Sequence, residues 1–148
     1  MFDTVVIATD GSASAARAVD VALDVAARFD AAVHALFVVD EDDADGSSAD
    51  LQEDATAALD DAADEALGAV RERADREVTT AVREGDPRTE IRTYADDVDA
   101  DVVAVGTRGR HGDHAFVLGS VAESLVWNCE RPVLTVRQLA DGERAPNA

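Results

Sequence analysis

Short apolar runs alternate with amphipathic stretches along most of this chain, and this alternation limits the possible folds strongly. Between the runs lie four stretches whose apolar residues recur at helical spacing, which predicts the order β-α-β-α-β-α-β-α-β. This order is typical of a doubly wound α/β domain: a five-stranded parallel sheet with helices on both faces. The predicted strands are Thr4–Thr9, Ala32–Val39, Glu77–Gly85, Asp101–Gly106 and Pro132–Arg137.

Each predicted helix has an apolar stripe and a polar face. The first runs from Ala15 to Phe29, after a turn at residues 10–12. The second, from Leu51 to Val70, follows an acidic loop at residues 40–50. The third opens at Asp86-Pro87, because proline fits the first helical position. The fourth follows a glycine-rich region, and its stripe consists of Val121, Ala122, Leu125, Val126 and Cys129.

The charge balance is extreme. The chain has 32 Asp and Glu residues against 13 basic residues, all of them Arg, and a net charge of -19. Such a charge destabilises a compact chain through self-repulsion, which strong salt screens. We therefore predict adaptation to a salt-rich cytoplasm, where the acidity reflects the solvent. The same charge argues against nucleic acid and anionic membranes as partners.

Other sequence features also favour a cytoplasmic protein. No run of eighteen apolar residues is present, so no transmembrane helix is expected. The first residues, MFDTVVIATDGS, lack the basic and small-residue features of a signal peptide. A single cysteine, Cys129, excludes an internal disulfide framework, and its place on the apolar stripe predicts a small buried side chain.

The stretch VVAVGTRGRHGDHAFVLGS, residues 102–120, is the exception in this acidic chain. It follows the fourth strand, and ligands of doubly wound sheets bind beyond the carboxyl ends of strands. Its glycines permit close approach of backbone to a ligand, and Gly119-Ser120 opens a helix whose free N–H groups attract anions. Two arginines, Arg108 and Arg110, add positive charge. Together these features predict a phosphate-bearing ligand.

The spacing Gly106-x2-Gly109-x9-Gly119-Ser120 resembles the nucleotide-binding signature of the universal stress protein family, in its ATP-binding branch. The segments VVIATDGS, LFVVD, REGDP and GSVAESLVWNCERPVLTV extend the resemblance over nearly the whole chain. It implies a Rossmann-like sheet of order 3-2-1-4-5, a family domain at residues 1–139 with a polar tail at 140–148, and an ATP-binding stress-response module. It also implies homodimers through Pro132–Arg137, with protein partners that stay unknown.

The resemblance also assigns site residues by position. Ala8, Thr9 and Asp10 would lie along the adenosine, with Asp10 near the ribose, and the backbone of Val38 would contact adenine. Some family members carry proline where Ala8 stands. Mg²⁺ or Mn²⁺ would be held through the phosphates. The glycine loop would wrap the ribose and phosphates, and the start of the fourth helix would hold the phosphates: Gly106, Thr107, Arg108, Gly109, Arg110 and Gly112, then Gly119, Ser120 and Val121.

Two other functions stay open from the sequence. One is slow ATP hydrolysis or self-phosphorylation through Ser120, although no general base and no catalytic residue is identified. The other is a family member that keeps the fold without the ligand. The sequence lacks the lysine of a P-loop and the G-x-G-x-x-G turn of a hydride-transfer site.

Three histidines and one tryptophan could have either a functional or a purely structural role. His111 and His114, with Asp113, form an incomplete metal-ligand cluster. The two histidines could instead contact phosphate, but they are more typical of loop residues. We expect His34 to be a hydrogen-bonded core or edge histidine. Trp127 falls off the apolar stripe of its helix, so it is expected to be partly exposed or to cover an edge.

Overall fold

A computed structural model of the chain describes residues 2–40, 49–107 and 119–137, without the side chains of residues 49–57. Strands and helices alternate along these residues, as the sequence predicts. The elements are β1 Thr4–Ala8, α1 Ala13–Phe29, β2 Ala32–Val39, α2 Ala49–Arg73, β3 Val78–Glu84, α3 Pro87–Asp97, β4 Val102–Gly106, α4 Ser120–Asn128 and β5 Val133–Val136.

The five strands form one sheet in the order β3-β2-β1-β4-β5, with every neighbouring pair parallel. This confirms the predicted doubly wound fold and its strand order. The chain moves from β1 to β2 and β3 on one side, and returns to place β4 and β5 on the other. The order therefore reverses beside β1, and the carboxyl ends of β1, β2 and β4 border the crevice where such sheets bind ligands.

Apolar side chains cover both faces of the sheet, which explains why the strands read as continuous apolar runs. One core lies between the sheet and the α1 and α2 layer, and it contains Ile7 and Phe37. The second lies under α3 and α4, and it contains Val6 and Leu36. Adjacent residues of one strand thus enter opposite cores. No described helix is long and apolar enough to cross a membrane.

Several element boundaries differ from those predicted. α1 begins two residues earlier, because Ser12 is its N-cap and accepts a hydrogen bond of 3.2 Å from the Ala15 N–H. β1 ends at Ala8 rather than at residue 9, where the chain turns toward α1. α2 already includes Ala49 and residue 50, which were assigned to the acidic loop.

The stripe predicted for α4 is wrong at one position. Ala122 and Leu125 are buried, whereas Val126 is 49 % exposed because the helix turns it away from the sheet. Cys129 packs against the second core but is only half-buried, less than the burial predicted for it. Trp127 is 79 % exposed, which confirms its expected exposure.

His34 has the structural environment expected for it. Its Nδ1 lies 2.9 Å from the Tyr94 hydroxyl oxygen, so the half-buried ring has a hydrogen-bond partner. Burial lowers the pKa of His34 below its ordinary value, since desolvation disfavours the imidazolium form.

Candidate functional site

A cavity of about 380 Å³ opens at the carboxyl ends of β1, β2 and β4. It reaches both helical layers, because α1 and α2 contribute to one wall and α3 and α4 to the other. Its position is the crevice that the strand order predicts. The lining residues are Ala8, Thr9, Asp10, Ala15, Leu36, Phe37, Val38, Asp40, Leu59, Pro87, Ile91, Val105, Gly106, Thr107, Gly119, Ser120, Val121 and Ala122.

The turn after β1 fixes Asp10 at the centre of this edge. The Gly11 N–H donates to Thr9 Oγ1 at 3.2 Å, and the Ser12 N–H donates to Asp10 Oδ1 at 2.9 Å. Gly11 has a φ of 80°, a left-handed conformation that favours glycine. The turn therefore orders the carboxylate before any ligand binds. The hydrogen bond from Ser12 goes to Oδ1 of Asp10 and not to Oδ2.

The end of β2 presents backbone groups to the same cavity. The Thr9 N–H donates to the Leu36 carbonyl at 2.9 Å, which is the last described backbone bond between the β1 and β2 segments. Backbone groups of alternate residues point to the same side of a strand. The N–H and C=O of Val38 therefore face the β1 side, beyond the point where β1 has turned away.

The third side of the cavity is the start of α4. Gly119 is the N-cap of this helix, and its backbone is held by a hydrogen bond from its N–H to the Thr107 carbonyl. Its own carbonyl accepts the Glu123 N–H at 2.9 Å. Gly119 has no side chain that could cap the first turn. The N-terminal N–H groups and the helix dipole therefore face the cavity beside the exposed Ser120, an arrangement that suits an anion.

Gly106 has a packing role in addition to its place at the cavity. A Cβ added there would lie 2.6 Å from Ser14 Oγ and 2.9 Å from the Ser14 carbonyl carbon. β4 thus approaches α1 too closely for a side chain. The spacing of the glycine signature gave no indication of this contact.

Two of the described lining residues, Asp10 and Asp40, have ionisable side chains, and both are carboxylates. Near the cavity, the first turn of α3 carries a further acid and base. Asp86 caps this helix, and Arg88 donates to its two carboxylate oxygens at 3.1 and 3.2 Å. These hydrogen bonds hold the pKa of Asp86 below its ordinary value. Within the described part of the chain, no cluster of three or more His, Cys, Asp or Glu residues could hold a metal ion.

The comparisons with known proteins agree with the fold. The model of the universal stress protein family matches residues 1–137. The chain belongs to this family. It is 35 % identical over 142 residues to a universal stress protein of Methanocaldococcus jannaschii, covering 93 % of this chain and 84 % of the relative.

Solved structures of universal stress proteins have the same fold. The UspA protein of Lactobacillus plantarum is 26 % identical, with a TM-score of 0.77 over 92 % of this chain and 98 % of its own. A universal stress protein crystallised in complex with cAMP is also 26 % identical, with a TM-score of 0.69 over 93 % of this chain and 98 % of its own.

In this universal stress protein, the fold brings nine of the predicted site residues to one cavity. They come from segments up to 113 positions apart in the chain, as Ala8 and Val121 show. Arg108, Gly109, Arg110 and Gly112 lie outside the described residues, as do His111, Asp113 and His114. The nine are Ala8, Thr9, Asp10, Val38, Gly106, Thr107, Gly119, Ser120 and Val121.

Sequence reasoning missed most of the apolar wall and one carboxylate. Leu59 comes from α2, whereas Pro87 and Ile91 come from the first two turns of α3. The sequence marks Leu59 and Ile91 only as members of apolar helix faces, and Pro87 only as the start of a helix. Asp40 could have been predicted as a site residue, because it directly follows β2 and strand ends were already expected to border the ligand.

Proposed function

We propose that this universal stress protein is an ATP-binding stress-response module of the cytoplasm, which acts through protein partners. The observation that carries the proposal is the cavity, which joins the carboxyl ends of three strands to the N-terminus of α4. Its volume of about 380 Å³ lies within the roughly 300–1,000 Å³ typical of small-molecule sites.

The polar groups along the cavity match the phosphates, the ribose and the base of an adenine nucleotide, in that order. The N-terminus of α4, at Gly119 and Ser120, offers N–H donors to phosphates. The carboxylate of Asp10, at the end of β1, would accept from ribose hydroxyls, and the backbone of Val38 would bind the base. The relative crystallised with cAMP supports the adenine nucleotide class. ATP is favoured by the glycine signature, and Mg²⁺ or Mn²⁺ would be held by the phosphates.

Nucleotide binding can be tested at the start of α4. We expect Gly119→Val and Ser120→Ala together to weaken binding of Mg-ATP by at least about tenfold, because a branched side chain blocks the backbone donors and a hydroxyl is lost. Calorimetric titration in concentrated KCl measures the affinity. Ser124→Ala, one turn further along α4, is the matched control and should bind like the unchanged protein. Absence of Mg-ATP binding by the unchanged protein would refute the proposal.

We further propose that two copies pair through β5. This strand is at one end of the sheet and its four residues, VLTV, carry no charge. The Val103 N–H donates to the Pro132 carbonyl and the Thr107 N–H to the Val136 carbonyl. Because backbone groups alternate along a strand, those of Val133 and Thr135 point to the outer edge, where a second copy would complete the ladder.

Proline at Thr135 tests this pairing with little change to the protomer. Thr135→Pro removes one outward N–H and spares the bonds to β4, so we expect the dimer to dissociate at least tenfold more readily. Thr135→Ala keeps the N–H and should stay dimeric. Sedimentation velocity measures the oligomer, and circular dichroism confirms that both variants fold. A Thr135→Pro protein that dimerises like the control would exclude pairing through this edge.

A further inference from the structure

We propose that Asp40 selects the base: its carboxylate accepts a hydrogen bond from the 6-amino group of adenine and disfavours purines with a 6-oxo group. The inference rests on the proposed nucleotide binding and adds a specificity-determining residue to it. Asp40 lines the cavity, yet the family signature assigns it no part in the site.

The geometry of the sheet places Asp40 at the base end of the cavity. β2 and β4 lie on opposite sides of β1, so their axes are about 10 Å apart at a strand spacing of roughly 4.8 Å. The phosphate-binding donors belong to the start of α4, which follows β4. A nucleotide extended from there across Asp10 therefore brings its base to the end of β2, where Val38 and Asp40 lie.

The side of the sheet that Asp40 occupies follows from the alternation along β2. Leu36 and Val38 pack against the core under α3 and α4, and Asp40 comes two residues after Val38. The electrostatics agree. The pKa of Arg88, in the first turn of α3, is raised mainly by its hydrogen bond to Asp86 and in smaller part by the charge of Asp40. Asp40 lines the same cavity as Pro87 and Ile91 of α3, which would form the apolar wall for a base.

The backbone of Val38 alone cannot distinguish the two kinds of purine. Adenine presents an acceptor at N1 and a donor at the 6-amino group, and a 6-oxo purine presents the reverse. A neighbouring N–H and C=O can satisfy either pattern after a small shift of the ring. An ionised carboxylate removes this ambiguity, because it only accepts hydrogen bonds. It can bind the second hydrogen of the amino group, and it repels a 6-oxo oxygen.

Affinities for ATP and inosine triphosphate, which carries a 6-oxo group, test the inference. We expect the unchanged protein to prefer ATP by at least about tenfold, the scale of one hydrogen bond to a charged group. Asp40→Asn should reduce this preference to about threefold or less, since an amide can rotate to donate to the 6-oxo oxygen. Calorimetric titrations with both nucleotides, at one concentration of KCl and excess Mg²⁺, give the ratio.

A matched variant separates the effect of Asp40 on base specificity from the general effect of removing one negative charge. Asp60→Asn makes the same change at an exposed residue of α2 that does not line the cavity, and should leave the ratio of affinities unchanged. If ATP binds but Asp40→Asn keeps the preference of the unchanged protein, the inference is wrong and nucleotide binding stands. If the unchanged protein binds both nucleotides equally, Asp40 is not selective. If it binds neither, both proposals fail.

Discussion

Replacing Gly106 with alanine should lower the free energy of unfolding by about 1–3 kcal/mol, the usual cost of overpacking a core. The added Cβ would lie 2.6 Å from Ser14 Oγ, 2.9 Å from the Ser14 carbonyl carbon and 3.0 Å from the Ala15 backbone nitrogen. Two of these atoms are backbone of α1, and Ser14 is only 1 % exposed. The helix must therefore move away from β4 to accommodate one methyl group.

Gly68→Ala is the matched control. Gly68 lies inside α2, and apart from its chain neighbours and the backbone of its own helix, no described atom lies within 4 Å of its added Cβ. Alanine should therefore stabilise the protein by about 0.5–1 kcal/mol through helix propensity. Urea unfolding of both variants and the unchanged protein, at one concentration of KCl, measures the difference. Equal stability of the Gly106→Ala variant and the unchanged protein would show that β4 does not pack on α1 as closely as described.

This contact changes how the glycine signature is interpreted. A loss of nucleotide binding in a Gly106 variant would combine a shifted α1 with any direct effect at the ligand. Gly119 is a better position for testing the site, because it is the N-cap of α4 and has an ordinary negative φ of -64°. Two glycines of one sequence motif thus have different roles: Gly106 allows close packing of β4 on α1, and Gly119 caps α4.

The sequence predicted the element order well because each element has a distinct period. Runs such as Val102–Gly106 are buried on both faces and continuously apolar, whereas α1 repeats its apolar residues at helical spacing. Boundaries were less accurate because caps decide them. The hydroxyl of Ser12 sets the start of α1, whereas the apolar period alone placed that start at Ala15. The order of the strands came from the family resemblance, since periodicity does not specify which strands pair.

Some residues of the candidate site could likewise be predicted from the sequence, and others could not. Residues at strand ends, such as Thr9 and Val38, could be predicted because parallel strands bring their carboxyl ends to one edge. The apolar wall could not, because Leu59 and Ile91 reach the cavity only through the packing of α2 and α3 on opposite faces. Val126 shows that helical spacing does not always predict which side chains of a helix are buried. Its spacing fits the buried stripe, but the angle at which α4 meets the sheet exposes it.

Salt should stabilise this protein strongly, and the effect follows from charge. With a net charge of -19, exposed carboxylates repel one another over the Debye length of about 10 Å at 0.1 M salt. At 1 M the Debye length is roughly 3 Å, so most of this repulsion is removed. We therefore expect the free energy of unfolding to rise steeply from 0.1 to 1 M KCl. Urea titrations at each concentration measure it.

A variant of α2 distinguishes screening from the general effect of salt on apolar burial. Asp60 and Asp64 are exposed and one helical turn apart, so the two like charges destabilise the helix by about 0.2–0.5 kcal/mol. The double variant Asp60→Asn, Asp64→Asn should be more stable than the unchanged protein at 0.1 M KCl and equal to it at 2 M. If the difference persists at 2 M, the two carboxylates affect stability by some means other than repulsion. If the unchanged protein gains no stability between 0.1 and 1 M, its acidity is not an adaptation to salt.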